Sequence, residues 1–198
     1  MKYEIKSDDI EPIQKKMEIL LSRGLDLKPM MRTAGEIMRA SAGRNFEAEG
    51  RPSRWKPLSS ATKEIYSGKL LDEYSQTKGY QNAKRESTRK KRSQAHVQAR
   101  LGGRKLLQGE GDLKKSIVIG EITSSSVKVG SSLPYARIHQ LGGTIKPRRK
   151  KVLMIPLGGG KFMWLKKVTI PARPYLLFQS EDQTAIVRAL DSYFLRSL

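Results

Sequence analysis

Chemistry in this chain would have to start from very few side chains. The 198 residues contain no cysteine and two histidines, His96 and His139, so thiolate nucleophiles, cysteine–histidine pairs and cysteine-based zinc sites have no material. His139 stands next to Gln140 in a short apolar turn, where a hydrogen-bonded structural imidazole is the simpler reading than a general base. The acids scatter among helix-cap positions and helix faces and do not gather at strand ends, as a metal-dependent nuclease requires. Gly158-Gly159-Gly160-Lys161 has the look of a phosphate loop, but the spacing and the hydroxyl residue after the lysine are missing. The sequence therefore predicts no catalytic residue, no metal site and no cofactor.

What remains is binding chemistry, and most of it is charge. Lys and Arg number 39 against 19 Asp and Glu, a formal net charge of +20. A charge of that size repels itself unless something acidic is near, and nucleic acid or an acidic protein surface is the usual remedy. A solvated basic surface with no ligand is the plainer alternative. The cations concentrate in two runs. Between Thr77 and Lys105 stand Lys84, Arg85, Arg89, Lys90, Lys91 and Arg92, with Glu86 as the one acid and few apolar residues. Such a segment cannot bury enough surface to offset its ordering entropy. It reads as a mobile or partner-ordered arm, with a helix over Thr88 to Arg100, lying on DNA, on an acidic neighbour or on nothing. The second run, Lys146, Arg148, Arg149, Lys150 and Lys151, flanks a hairpin and reads as a DNA-facing rim or a solvated tip. Trp55 lies among Arg51, Arg54 and Lys56. It could stack on a base or sugar, but Pro52 and Pro57 hold the segment extended and favour an aromatic plug on the core.

The elements that must carry these residues follow from periodicity. Asp8 or Asp9 caps a helix burying Ile10, Ile13, Met17, Leu20 and Leu21, which Gly24 stops. Asp26 caps a second, with Pro29 in its first turn and Met30, Ala34, Ile37 and Met38 as its stripe before Gly50; the methionines read as core filler. Ser59, Ser60 and Thr62 cap a short third through Ile65 and Tyr66. Ser116 to Ile122 and Ser126 to Gly130 form a hairpin, with Ile117 and Ile119 alternating so that both faces can be covered. Val152 to Leu157 and Phe162 to Ile170 form a second around Gly158 to Gly160. Ser180 and Gln183 make a capping box for a last helix that buries Ala185, Ile186, Ala189, Leu190, Tyr193 and Phe194 against a sheet. The hydrophobic content of 37% and aromatic content of 7% are low. One domain over 1–198, with 77–105 as a basic insertion and large surfaces completed by neighbours, is the expected organisation. MKYEIKSDDI lacks the apolar run of a signal peptide, no apolar stretch reaches spanning length, and the absence of cysteine fits a reducing cytoplasm.

The stretch Leu133 to Tyr175 organises the rest. Tyr135, Ala136, Ile138 and His139 make one helical turn stopped by Gly142-Gly143. Pro171 and Pro174 bracket Arg173 in a rigid extended segment. The blocks PYARIHQLGG and IPARP, with FEAEGRPSRWKPLSSAT at Phe46 to Thr62 and LLQGEGDLKKSI at Leu106 to Ile117, together resemble the phage virion morphogenesis family of Mu-like phages. Members look like the tail-completion proteins of P2-like phages and the neck proteins of siphophages. The four blocks come in the family's order. The chain departs from it at Gln108-Gly109-Glu110-Gly111, where the family runs a threonine-glycine pair, and in the unaligned stretch from Thr77 to Lys105.

The resemblance implies an α+β fold: an antiparallel sheet with N-terminal helices and a C-terminal helix packed on it. It implies a structural virion protein of the neck, acting in head-tail joining or tail completion, located at the head-tail junction and assembled in the bacterial host cytoplasm. It also implies a homo-oligomeric ring, hexameric or dodecameric, whose partners are other neck, portal-side or tail proteins; the basic runs add the packaged DNA or an acidic neighbour as a contact, and the lack of a spanning stretch predicts no membrane. By the resemblance Trp55, Pro134, Tyr135, Ala136, His139, Gln140, Gly142, Pro171, Ala172, Arg173 and Pro174 are structural motif positions. The rival reading of the charge is a stand-alone nucleic-acid-binding protein.

Overall fold

A computed structural model of the chain describes residues 10–22, 26–109, 111–158 and 160–196. The caps assigned to Asp8, Asp9 and Gly24, and the residues Glu110 and Gly159, lie outside the described residues. Eight helices and six strands are described: α1 Glu11–Ser22, α2 Lys28–Glu47, α3 Ser60–Ser75, α4 Lys78–Gln81, α5 Glu86–Gly102, α6 Asp112–Lys115, β1 Val118–Ile122, β2 Val127–Gly130, α7 Ala136–Leu141, β3 Gly143–Ile145, β4 Leu153–Gly158, β5 Lys161–Leu165, β6 Val168–Ile170 and α8 Ser180–Arg196. The fold is α+β, as expected.

Helix α2 is the spine, because its two ends serve two different cores. Met30, Met31 and Ala34 of its first half pack with Ile13 and Leu20 of α1, Leu27, and Ile186 and Leu190 of α8. Ala42 and Phe46 of its second half pack with Trp55, Leu113, Ile117, Ala136 and Tyr175. The start of α2 differs slightly from the sequence reading. Leu27 occupies the cap position without a side-chain bond, and Asp26 Oδ1 accepts from the Lys28 amide at 3.0 Å from one residue further out. Leu21, expected in the α1 stripe, is 39% exposed.

The strands pair in three separate two-stranded antiparallel ladders, β1 with β2, β3 with β6 and β4 with β5. The β-rich run from Phe162 to Ile170 is thus broken at Lys166-Lys167: its first half faces β4 and its second half faces β3, with Thr144 opposite Thr169. The hairpin β1–β2 lies against α2 at Gly35, where an added Cβ would come within 3.0 Å of Val127. It covers one face only, since Val118 is 53% exposed while Ile117 is buried. The C-terminal helix packs on α1 and α2, with only Ile122 and Val127 reaching its cluster from the strands. At its start the Asp182 carboxylate accepts from the Gln179 amide at 3.2 Å, one residue earlier than the expected Ser180 and Gln183 pair, while the Gln179 side chain donates to Asn45.

The stretch 77–105, expected as an arm, contains two helices folded onto α3. Helix α5 covers the expected Thr88 to Arg100 and extends to Gly102. What composition hides is that the apolar partner lies elsewhere: α3 supplies Leu70, buried, and Tyr74, which stacks on His96 at 4.7 Å and meets Tyr80 edge-on at 5.9 Å. The α3 helix itself is far longer than expected, 16 residues from a Ser59 cap whose Oγ accepts from the Thr62 amide at 3.2 Å.

Candidate functional site

The two blocks PYARIHQLGG and IPARP meet side by side, and Gln140 stitches them. Its Oε1 accepts from the amides of Tyr175 and Leu176 at 2.9 and 3.0 Å, and its Nε2 donates to the Leu176 carbonyl at 2.7 Å. One buried side chain therefore satisfies three backbone groups, much as an antiparallel strand would. Tyr175 returns the contact by donating from its hydroxyl to the Ala136 carbonyl at 3.0 Å, and the Arg173 amide donates to the His139 carbonyl at 2.8 Å. Helix α7 must stop at once for this to work. Gly142, at φ 71, ends it, and a Cβ there would lie 2.7 Å from the Ala172 amide nitrogen.

Trp55 closes the joint from the other side. It is buried, its Nε1 donates to the Pro174 carbonyl at 3.1 Å, and its ring meets Phe46 edge-on at 5.8 Å. Phe46 in turn stacks on Tyr175 at 5.1 Å. In this arrangement no face of Trp55 is free for a base. Pro134, Tyr135 and Ala172 are exposed, while Pro171 and Pro174 are half-buried.

Arg173 is the charged member of the joint, and it is buried. Its Nε and Nη2 donate to the Lys56 carbonyl at 3.1 and 3.0 Å, and Nη2 also reaches the Pro57 carbonyl at 3.3 Å. Burial lowers its pKa from the ordinary arginine value, partly offset by Tyr66. The same burial, and then the charge of Arg173, lower the pKa of His139 from the ordinary histidine value, which favours the neutral ring. His139 Nδ1 is buried with no hydrogen-bond partner. Both residues line a cleft of about 510 Å³ that also takes in Tyr66, Arg104, Ile155 and Met163. Arg104 lies over the Tyr66 ring, 3.9 Å from its centroid. The described lining offers a single carboxylate, Asp112, and among the described residues no group of three or more His, Asp or Glu is placed to hold a metal.

A second polar network, not foreseen from the sequence, locks α8 and the 50s segment to α2. Asp182, fully buried, accepts from Ser41 Oγ at 2.8 Å and pairs with Arg44 at 3.2 Å. Arg51 donates to Asn45 Oδ1 at 3.0 Å and Ser41 Oγ at 3.1 Å, and also pairs with Glu181. Asn45 passes the network to the motif joint by donating from Nδ2 to the Tyr175 carbonyl at 2.9 Å. The signal for it was present: Ser41 and Asn45 are polar residues four apart on the buried face of α2.

The basic residues divide by what they touch. Arg89 is half-buried, donates from Nε to the Ala83 carbonyl at 2.7 Å and lies 5.5 Å from the Tyr80 ring centroid. Arg92 donates to the Gly79 carbonyl at 3.3 Å. These two clamp the α4–α5 turn. Lys84, Arg85, Lys90 and Lys91 are exposed on the helical pair, and Lys146, Arg148, Arg149, Lys150 and Lys151 are exposed between β3 and β4. The two basic runs sit on different elements.

The chain is thus a helical spine with small ladders, an interior of hydrogen-bonded joints and a heavily cationic surface. Comparison with known proteins gives that build its place. The model of the phage virion morphogenesis family matches residues 8–101 and 75–194, and the chain belongs to that family. Among curated proteins it is similar to the Mu-like prophage FluMu G protein 2 of Haemophilus influenzae, 27% identical over 195 residues that cover 96% of this chain and 95% of that one. No solved structure matches. The chain thus has a phage morphogenesis role, and among the described residues no helix is long and apolar enough to cross a membrane.

Proposed function

We propose that this protein acts in the phage neck, joining head to tail or completing the tail, as one subunit of a homo-oligomeric ring and without enzymatic activity. The observation that carries the reading is the division between interior and surface. The motif residues Gln140, Trp55 and Arg173 are spent inside the subunit, in a joint with Tyr175. The outside keeps the charge and several large apolar side chains, including Trp164 at 60% and Met154 at 51% exposure. A chain built this way has a stiff body and faces that a neighbour covers. Virion association follows from the family, and the head-tail junction is the site at which a ring of such bodies would serve.

The test is loss of the protein during particle assembly. Without it, electron microscopy should find filled heads and separate tails in place of joined particles. Normal particle yield without the protein would rule the role out. The nucleic-acid-binding alternative separates on salt, because a phosphate-driven complex weakens steeply as salt rises. A ring subunit would bind free DNA weakly at physiological salt and still join particles.

A further inference from the structure

The hairpin β4–β5 carries apolar side chains on both faces, and one face is covered. Ile155, Met163 and Leu165 turn towards the cleft and α3. The backbone is fixed there by close approach, since a Cβ on Gly68 of α3 would fall 1.6 Å from the Leu157 carbonyl oxygen. The opposite face pairs Met154 with Trp164 and Pro156 with Phe162 across the ladder. Met154, Phe162 and Trp164 are 51, 47 and 60% exposed. Around them Lys150, Lys151, Lys161, Lys166 and Lys167 are exposed, and the sequence holds no acidic residue between Glu121 and Glu181.

We infer that this outer face of β4–β5 docks a different protein, one that presents an apolar centre rimmed by carboxylates; the inference rests on the morphogenesis reading for where that partner is met. An apolar centre with a polar rim is the anatomy of a protein interface, and Trp is the side chain most often found at its energetic centre. The hairpin and its flanks contribute charges of one sign only, with Asp72 of α3 lying near the Gly158 turn, and this selects an acidic partner and disfavours this hairpin meeting its own copy. Another face of a second copy is also a poor match. Acids are outnumbered 39 to 19, and seven of the 19 are paired with the chain's own cations among the described residues. Duplex DNA would engage the lysines through its phosphates, but beyond scattered thymine methyls it offers the cluster of Met154, Phe162 and Trp164 apolar surface only at the cost of unstacking its bases.

The experiment replaces Trp164 by the photo-cross-linker benzoylphenylalanine in the full-length chain, in cells assembling the phage, and maps the adducts by mass spectrometry. The expected result is an adduct with a different protein, on a peptide with apolar residues flanked by Asp and Glu. Its yield should fall about tenfold or more when Lys150, Lys151, Lys166 and Lys167 are all changed to Glu, with thermal unfolding of the purified variant unchanged. An adduct to nucleic acid, an adduct to a second copy, no adduct, or a yield indifferent to the charge reversal would overturn the inference. The morphogenesis reading is scored separately, by whether assembly fails without the protein.

Discussion

Replacing Gln140 by Ala isolates the bond that holds the two motif segments together. Three hydrogen bonds disappear, at 2.9, 3.0 and 2.7 Å. The Tyr175 amide belongs to a residue only 2% exposed, so water cannot replace its lost acceptor, and leaving it unpaired costs about 1–3 kcal/mol. Leu176 is half-buried, and its amide and carbonyl can be partly rehydrated, for about 0.5–1 kcal/mol each. The sum is a loss of about 2–5 kcal/mol, a large share of the stability of an ordinary domain. Urea unfolding of the purified chain, followed by fluorescence and circular dichroism, reads it as a lowered midpoint at unchanged slope. Leu141→Ala, on the 47% exposed neighbour, should shift the midpoint hardly at all. A Gln140→Ala protein within about 0.5 kcal/mol of wild type would refute the stitching argument.

Other changes test other joints. Gly68→Ala should destabilise even though Ala is the better helix former by about 1 kcal/mol, because the added carbon meets the Leu157 backbone oxygen at 1.6 Å; a lowered melting temperature and faster proteolysis within 153–165 are expected. His139 carries a folded pKa below its ordinary value, so the unfolded chain binds the proton more readily. Stability conferred by the neutral ring is therefore present above the ordinary histidine pKa and falls as pH drops below it, and His139→Gln should flatten that part of a stability-versus-pH curve. Arg89→Ala should lower helicity and melting temperature, whereas Lys90→Ala with Lys91→Ala should leave both within error, since Arg89 reaches Ala83 and Tyr80 and the lysines are exposed.

The sequence made visible those elements whose cause is local. Gly142-Gly143 ends α7 where expected, Ser59 caps α3, and the Thr/Ser turn between β1 and β2 lies between Ile122 and Val127. What stayed hidden depends on partners far along the chain. The run 162–170 is uniformly strand-like, and nothing local shows that Val168 to Ile170 leaves β5 for β3. The apolar support of α5 lies on α3, so composition within 77–105 understates its order. An amphipathic C-terminal helix announces a buried face but not whether helices or strands will cover it. At the site, proximity of the two motif blocks was not legible from their types; it needs the reversal at Gly142 and the reach of Gln140.

The proposed role makes this chain a ring-forming part of the virion. Its copy number in purified particles, measured by quantitative mass spectrometry against known particle components and paired with the native mass of the isolated protein, tests that most directly. The account predicts a fixed, small multiple matching a hexameric or dodecameric ring. A chain missing from mature particles and monomeric at every concentration would contradict it.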